Sequence, residues 1–111
     1  MLPRRHRLTD RTTFAAAVRS GRRIKSGSLV GHLVLQTDVT GPRVGLIVSK
    51  RVGTAVQRHR VSRVIRHAAA AHLGQLPPGS VLVVRALPDA ARRDGDLAAD
   101  VATLVGRVDP S

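Results

Sequence analysis

Residues 43–66 have the sequence RVGLIVSKRVGTAVQRHRVSRVIR, in which a short apolar run is followed by a cap signal and an amphipathic segment. Thr54 and Gln57 form the T-x-x-Q pattern of a capping box, so we predict that a helix begins there. The helical pattern continues to Leu73, and Gly74 and the prolines beyond it are placed to end the helix. This helix is the most strongly indicated element of the chain.

The predicted helix has one apolar side and one cationic side. The apolar side carries Val61, Val64, Ile65, Ala68, Ala69 and His72. The cationic side carries His59, Arg60, Arg63, Arg66 and His67, with Arg58 near the boundary and Lys50 and Arg51 just before the helix. A solvated charged face normally pairs such cations with acidic residues at i,i+4, yet no acidic residue lies between Val39 and Pro88. We therefore predict that this side binds phosphate.

The charge of the whole chain is strongly positive and unevenly distributed. Its 19 Lys and Arg residues face seven acidic residues, which gives a formal net charge of +12. Residues 1–88 hold 16 basic and two acidic side chains, whereas residues 89–111 hold three and five. A net positive charge of this size destabilises an isolated fold, because the like charges repel one another. We therefore expect a nucleic acid as partner. The dominance of arginine favours RNA, because guanidinium groups bind phosphate in bidentate fashion and stack on bases.

Size and composition indicate one soluble domain with an aliphatic core. The chain has 111 residues and a single aromatic residue, Phe14, so we expect residues 1–111 to form one domain. No apolar run approaches the roughly 18 residues that a bilayer span needs. The absence of cysteine excludes disulfide bonds, a thiolate nucleophile and sulfur-bound zinc. We therefore expect a cytoplasmic protein that does not associate with a membrane.

Two further helices are predicted near the ends of the chain. Helical spacing near the N-terminus is shown by Leu8, Phe14, Ala15, Ala17 and Val18. Thr9 or Asp10 is placed to cap this first helix. Helical spacing recurs near the C-terminus in Leu97, Val101, Leu104, Val105 and Val108. Asp94 or Asp96 is placed to cap that last helix.

The remaining apolar runs predict strands. Ser28–Thr37 and Arg43–Ser49 flank a predicted turn at residues 38–42, so we expect them to pair as an antiparallel hairpin. Ser80–Ala86 has the composition of a buried strand, and a short extra strand is possible near Arg22–Lys25. The resulting order, α-β-β-(β)-α-β-α, predicts an α+β fold in which helices pack on a small mixed sheet.

The stretch Arg43–Arg66 resembles the signature of the bacterial ribonuclease P protein subunit. In that family a strand with the pattern R-x-G-[apolar]-x-[apolar]-S-K-[KR] leads through V-G-N-A-V into an R-N-R-x-K-R-x-x-R helix. The N-terminal R-x-R-L followed by Phe14, the Gly21 position and the last helix also fit, so the similarity extends over essentially the whole chain. The matching positions are Ser49, Lys50, Arg51, Arg58, Arg60, Arg63 and Arg66. His59 replaces the usual Asn, and Ser62 stands where the family often has Lys.

The resemblance implies an RNA-binding subunit of an endoribonuclease that removes the 5′ leader from precursor tRNA. It also implies that the RNA subunit performs the hydrolysis with Mg²⁺, that the protein has no catalytic residue or metal site, and that the crossover around the arginine helix is left-handed. The implied partners are the RNA subunit and precursor tRNA, with no obligatory protein partner. The implied RNA-binding residues are Lys50, Arg51, Arg58, His59, Arg60, Arg63, Arg66 and His67. The implied leader-binding cleft contains Phe14, Val18, Leu29, His32 and Ser49.

Three other functions remain open from the residues themselves. A Ser-His-Asp hydrolase has little support, because no nucleophile elbow or metal-ligand spacing such as H-E-x-x-H is present. A ribosomal or other structural RNA-binding protein would show the same charge pattern. A DNA-binding protein could place the arginine helix in a major groove, although base-reading Asn and Gln are scarce on that helix.

Overall fold

The computed structural model describes residues 2, 4–35, 42–93 and 96–108, which form three α-helices and one four-stranded sheet. The helices are α1 (Arg11–Ser20), α2 (Ala55–Ala71) and α3 (Leu97–Gly106). The strands are β1 (Arg22–Ser26), β2 (Leu29–Leu35), β3 (Arg43–Ile47) and β4 (Ser80–Ala86). Short 3-10 helices occupy Arg4–His6, Lys50–Val52, Leu73–Gln75 and Pro88–Arg92. The order α1, β1, β2, β3, α2, β4, α3 confirms the predicted α+β fold and the extra short strand.

Side-chain caps determine where the first two helices begin. Asp10 caps α1, since its carboxylate accepts hydrogen bonds from the first turn. Thr54 and Gln57 form the predicted capping box of α2, with N–H to side-chain oxygen distances of 2.8 and 3.2 Å. Asp96 precedes α3 without a side-chain cap hydrogen bond. The other predicted cap, Asp94, lies outside the described residues.

The sheet has the strand order β1-β2-β4-β3, and this order corrects the predicted hairpin. β1 and β2 form an antiparallel hairpin that turns at Gly27 (φ +56°), and β2 is also antiparallel to β4. β3 does not pair with β2, because β4 lies between them and pairs with β3 in parallel. β4 is buried on both sides of the sheet, which favours a central position. The hand of the β3–α2–β4 crossover stays a prediction, and residues 38–41 of the predicted turn lie outside the described residues.

The two sides of the sheet are covered by different helices. On the side that we call the α2–α3 face, Leu29, Leu33 and Leu82 pack with the buried side chains of α2 and α3 in the main core. On the opposite side, the α1 face, Val81 and Val83 pack with Ala17 of α1 in a smaller cluster. The period-two alternation of the strands therefore separates two apolar layers.

Asp100 of α3 is held by a half-buried ion pair with Arg93 and by a hydrogen bond from the β1–β2 hairpin. Asp100 is 8% exposed and accepts hydrogen bonds from Nε and Nη2 of Arg93 at 2.6 and 2.8 Å. The hydroxyl of Ser26 donates to the backbone carbonyl of Asp100 at 2.8 Å. A Cβ at Gly27 would lie 2.5 Å from the Asp100 carboxylate, so this turn admits no side chain. No helix in the described part of the chain is both long and apolar enough to cross a membrane.

Candidate nucleic-acid interface

Helix α2 has the two sides that its sequence predicts. Val61, Ile65, Ala68 and Ala69 are buried against the main core. The exposed surface of the helix carries His59, Arg60, Arg63 and His67. His59 and His67 are eight residues apart, so these side chains form a cationic surface that extends over about 12 Å of the helix axis at about 1.5 Å per residue.

The cations of α2 divide between its two flanks. Arg60, Arg63 and His67 lie on the flank that faces α3, where they line a groove of 480 Å³. Arg66 is half-buried on the other flank, where it lines a separate cavity of 250 Å³ together with Arg7 and Phe14. The predicted single cationic side therefore consists of an exposed part and a part that faces the N-terminal segment.

Arg58 is also half-buried, near the start of α2. Its Nε atom is buried, and no described residue forms a hydrogen bond with it. A buried guanidinium nitrogen without a partner is costly, so this atom has an unmet requirement for an acceptor. The position agrees with the boundary location that the helical wheel predicts for Arg58.

The α1 face of the sheet brings together several of the residues predicted for the leader cleft. Phe14 packs directly over Gly45 of β3, which has no side chain to displace the ring. Val18 follows one turn later on α1 and is 37% exposed. His32 lies on the same face of the sheet, opposite Val83 of β4 in the strand register.

His32 is the polar centre of this face. His32 is 5% exposed. Its neighbours on this face are Arg23, which is directly opposite it on β1, and Arg85, which is diagonally opposite it on β4. Burial lowers the pKa of the imidazole, and the positive charges of Arg85 and Arg23 lower that pKa further. Neither His32 Nε2 nor Arg85 Nε has a hydrogen-bond partner among the described residues. The face therefore holds two buried nitrogens, one of an imidazole and one of a guanidinium group, whose hydrogen-bonding capacity is unmet within the described residues.

Ser49 and Arg51 extend the α1 face beyond the end of β3. They line a cavity of 370 Å³ with Ile47 and Arg85. The Ser49 hydroxyl accepts a hydrogen bond of 3.3 Å from the backbone N–H of Arg51, which caps the short 3-10 helix there. Lys50 is exposed in the same 3-10 helix. Arg51 therefore lies with the cleft residues, whereas the sequence grouped it with the cations of α2.

The prediction that Leu29 lines the cleft is wrong. Leu29 is 0% exposed and belongs to the main core on the α2–α3 face. Successive residues of a strand point to opposite sides, so Leu29 and His32, three positions apart, cannot share a face. Val30, the next residue, is also fully buried. Because neighbouring residues on both faces are apolar, the sequence pattern does not show which of them points to the α1 face.

Two cleft residues, Arg23 and Arg85, were missed from the sequence. Arg85 is the one charged side chain in the apolar run Ser80–Ala86, and that interruption is a signal that could have identified it. Its alternation with Val81 and Val83 places it on the α1 face. Arg23 could be placed only after the pairing of β1 with β2 was known.

The described residues do not offer a metal site. No group of three or more His or Asp side chains is arranged to hold a metal ion in the described ranges. The Asp10 carboxylate caps α1, and the Asp100 carboxylate is engaged by Arg93. The hydrogen bonds from Thr13 and Thr12 lower the pKa of Asp10, which keeps this cap ionised.

Comparisons with known proteins show the family to which the chain belongs. The family model described as Ribonuclease P matches residues 2–109. The chain belongs to the ribonuclease P family. Ribonuclease P protein components similar to it include that of Mycobacterium avium (strain 104), 52% identical over 92 residues that cover 79% of this chain and 77% of the relative. Another is that of Nocardioides sp. (strain ATCC BAA-499 / JS614), 46% identical over 111 residues that cover 97% and 95%.

Solved structures of ribonuclease P proteins have the same fold. The Staphylococcus aureus protein matches with a TM-score of 0.83 at 20% identity, over 93% of this chain and 96% of that chain. The Thermotoga maritima protein matches with a TM-score of 0.80 at 19% identity, over 93% and 97%. By its family, the chain is a protein component of the ribonuclease P ribonucleoprotein, which acts in tRNA processing. The partner of this protein component is the ribonuclease P RNA.

Proposed function

We propose that this chain binds the RNA subunit of ribonuclease P through α2 and holds the 5′ leader of precursor tRNA on the α1 face of the sheet. The observation that carries the proposal is the exposed cationic surface of α2, in a stretch without any acidic residue from Val39 to Pro88. The repulsion between these cations is relieved when they neutralise RNA phosphates, and the counterions that the RNA then releases favour binding. The residues proposed for this contact are Lys50, Arg58, His59, Arg60, Arg63, Arg66 and His67.

The second part of the proposal concerns the leader. The α1 face offers Phe14 and Val18 as apolar contacts and Arg23, His32 and Arg85 as polar ones. Ser49 and Arg51 continue this surface at the end of β3. With one aromatic ring available, charge and aliphatic contact would contribute more than base stacking to holding a single strand.

The third part places the endonucleolytic chemistry and its Mg²⁺ ions in the RNA subunit. This division is supported by the structural roles of two of the protein's seven carboxylates, since Asp10 is a helix cap and Asp100 is paired with Arg93. Mg²⁺ prefers several oxygen ligands, and the described residues do not cluster carboxylates in that way. The protein would then act by positioning the two RNAs.

Reconstitution tests the proposal. Precursor tRNA is incubated with the protein alone, with the RNA subunit alone and with both, over a Mg²⁺ series. We expect no cleavage by the protein alone and a lower Mg²⁺ requirement when the protein joins the RNA subunit. Cleavage by the RNA-free protein that survives removal of contaminating nucleases would contradict the division of roles. Failure of the protein to bind the RNA subunit would contradict the first part of the proposal.

A further inference from the structure

A groove lies on the surface between α2 and α3, which pack together beneath it, and phosphate binding by a cationic helix does not by itself require such a groove. The groove is shallow and largely open to solvent, and it has a volume of 480 Å³. The side chains that line it are Arg60, Arg63, Val64, His67, Ala68 and Ala98. Its floor is therefore built from small aliphatic groups, and its rim carries two guanidinium groups and an imidazole.

The rim chemistry indicates what the groove can hold. None of the described residues that line it is acidic, so the rim favours an anionic partner. Arg60 is oriented by the hydrogen bond of 3.2 Å from its Nη2 to the carbonyl oxygen of Ala91. An oriented guanidinium plane stacks on a nucleobase, while Arg63 and His67 remain exposed to bind phosphate.

We propose that the groove between α2 and α3 receives one unpaired base of the ribonuclease P RNA subunit, with its flanking phosphates on Arg63 and His67. The inference rests on the proposed function, because it needs the RNA subunit to lie on α2. It goes further in assigning α3 a part in RNA recognition and in predicting an unstacked nucleotide in the bound RNA. The flat shape of a base and the charge of its phosphates match an apolar floor bordered by cations.

Filling the groove with an uncharged side chain tests the inference. Ala98 lines the groove and Ala99, the next residue of α3, does not, although both are exposed in the first turn. Ala98→Leu therefore occupies the groove, and Ala99→Leu is its matched control. Leu is a good helix former, and a thermal melt of each variant checks the fold. Ala98→Gln provides a second way to fill the groove.

Two measurements on the complex with the RNA subunit distinguish the outcomes. For Ala98→Leu we expect roughly fivefold to tenfold weaker binding, which is the low end for a stacked base because the groove has no aromatic ring. The salt dependence should not change, since no phosphate contact is removed. Chemical modification should show one unpaired base protected by the wild-type protein and by Ala99→Leu but left reactive with Ala98→Leu.

The same experiment separates this inference from the proposed function through Arg63→Ala. If Arg63→Ala flattens the salt dependence while Ala98→Leu and Ala99→Leu give equal affinities and footprints, the base site is refuted and phosphate binding by α2 stands. If Arg63→Ala leaves the salt dependence unchanged, both are refuted.

Discussion

His32 shows how a single residue can set the chemistry of the α1 face. Its ring is buried beside Arg23 and Arg85, and its Nε2 has no hydrogen-bond partner among the described residues. Burial and these cations oppose protonation, so the folded protein holds a neutral imidazole. A neutral ring can donate a hydrogen bond to a base or accept one from it, and it does not add to the positive charge of the α1 face.

The lowered pKa of His32 predicts a pH dependence of stability. The unfolded chain binds a proton on this ring near pH 6.5, whereas the folded chain resists it, so the free energy of unfolding should fall as the pH drops below about 6.5. Urea unfolding of the wild-type protein and of His32→Leu between pH 8 and pH 5 measures this. We expect a steeper fall in the wild type, since the other histidines are common to both proteins. Parallel curves would show that the ring is not constrained in this way.

The contact between Phe14 and Gly45 gives a second prediction for single residues. A Cβ at Gly45 would overlap the Phe14 ring, so Gly45→Ala should destabilise the protein by about 1–3 kcal/mol. Phe14→Leu in the same chain should recover part of that loss, because the smaller side chain makes room. The free energies of unfolding of the two single variants and the double variant form the cycle that measures this coupling. Additive effects would mean that the ring does not press on this glycine.

Among the elements, α2 owes its position to its cap as well as to its apolar side. Its capping box satisfies backbone N–H groups at the N-terminus, and Val61 and Ile65 anchor the helix in the core. The cap thereby fixes where Arg58 and the cations that follow it emerge. A register shift of one residue would rotate each of them by 100°.

Removing the cap should weaken α2. Thr54→Ala removes the side-chain oxygen that accepts from the Gln57 N–H, which should lower the free energy of unfolding by about 1 kcal/mol. Thr54→Ser keeps the hydroxyl and should be close to wild type. Chemical unfolding of the three proteins provides the measurement. An equal loss in both variants would assign the effect to the methyl group of Thr54 instead of the cap.

An element can be predicted from the sequence when the residues that determine it lie close together in the chain. The start of α2 could be predicted, and the cap of α1 could be narrowed to Thr9 or Asp10, because the determinants of each lie within four residues of each other. The partner of β3 could not, since β4 enters the sheet from more than 30 positions later and separates it from β2. The prediction for Leu29 failed for a related reason. Both faces of β2 are covered, so the apolar residues of this strand do not alternate with polar ones that would mark its exposed face.

At the scale of the whole molecule, the sheet separates most of the two proposed RNA contacts, which approach each other only where Arg66 of α2 and Phe14 line one cavity among the described residues. α2 lies over one face with α3, while the residues proposed for the leader lie on the other face with α1. Strand β4 contributes to both layers, with Leu82 and Val84 on one side and Val81 and Val83 on the other. A rigid sheet of this kind would hold the leader at a fixed distance from the RNA subunit.

The measurement that tests this separation uses Arg63→Ala on α2 and Arg85→Gln on the α1 face. For each variant, the affinity for the RNA subunit is measured first. The affinity of the assembled enzyme is then measured for precursor tRNA with and without its leader, over a salt series.

We expect Arg63→Ala to weaken assembly, to flatten its salt dependence by roughly 0.7–0.9 log unit per lost contact, and to leave the affinity gained from the leader unchanged. Arg85→Gln should leave assembly unchanged, reduce the gain from the leader and make that gain less sensitive to salt. The assignment of the two RNAs to opposite faces of the sheet would be contradicted by either of two results. In one, both variants weaken binding of the RNA subunit or both reduce the gain from the leader. In the other, Arg85→Gln weakens binding of the RNA subunit and leaves the gain from the leader unchanged.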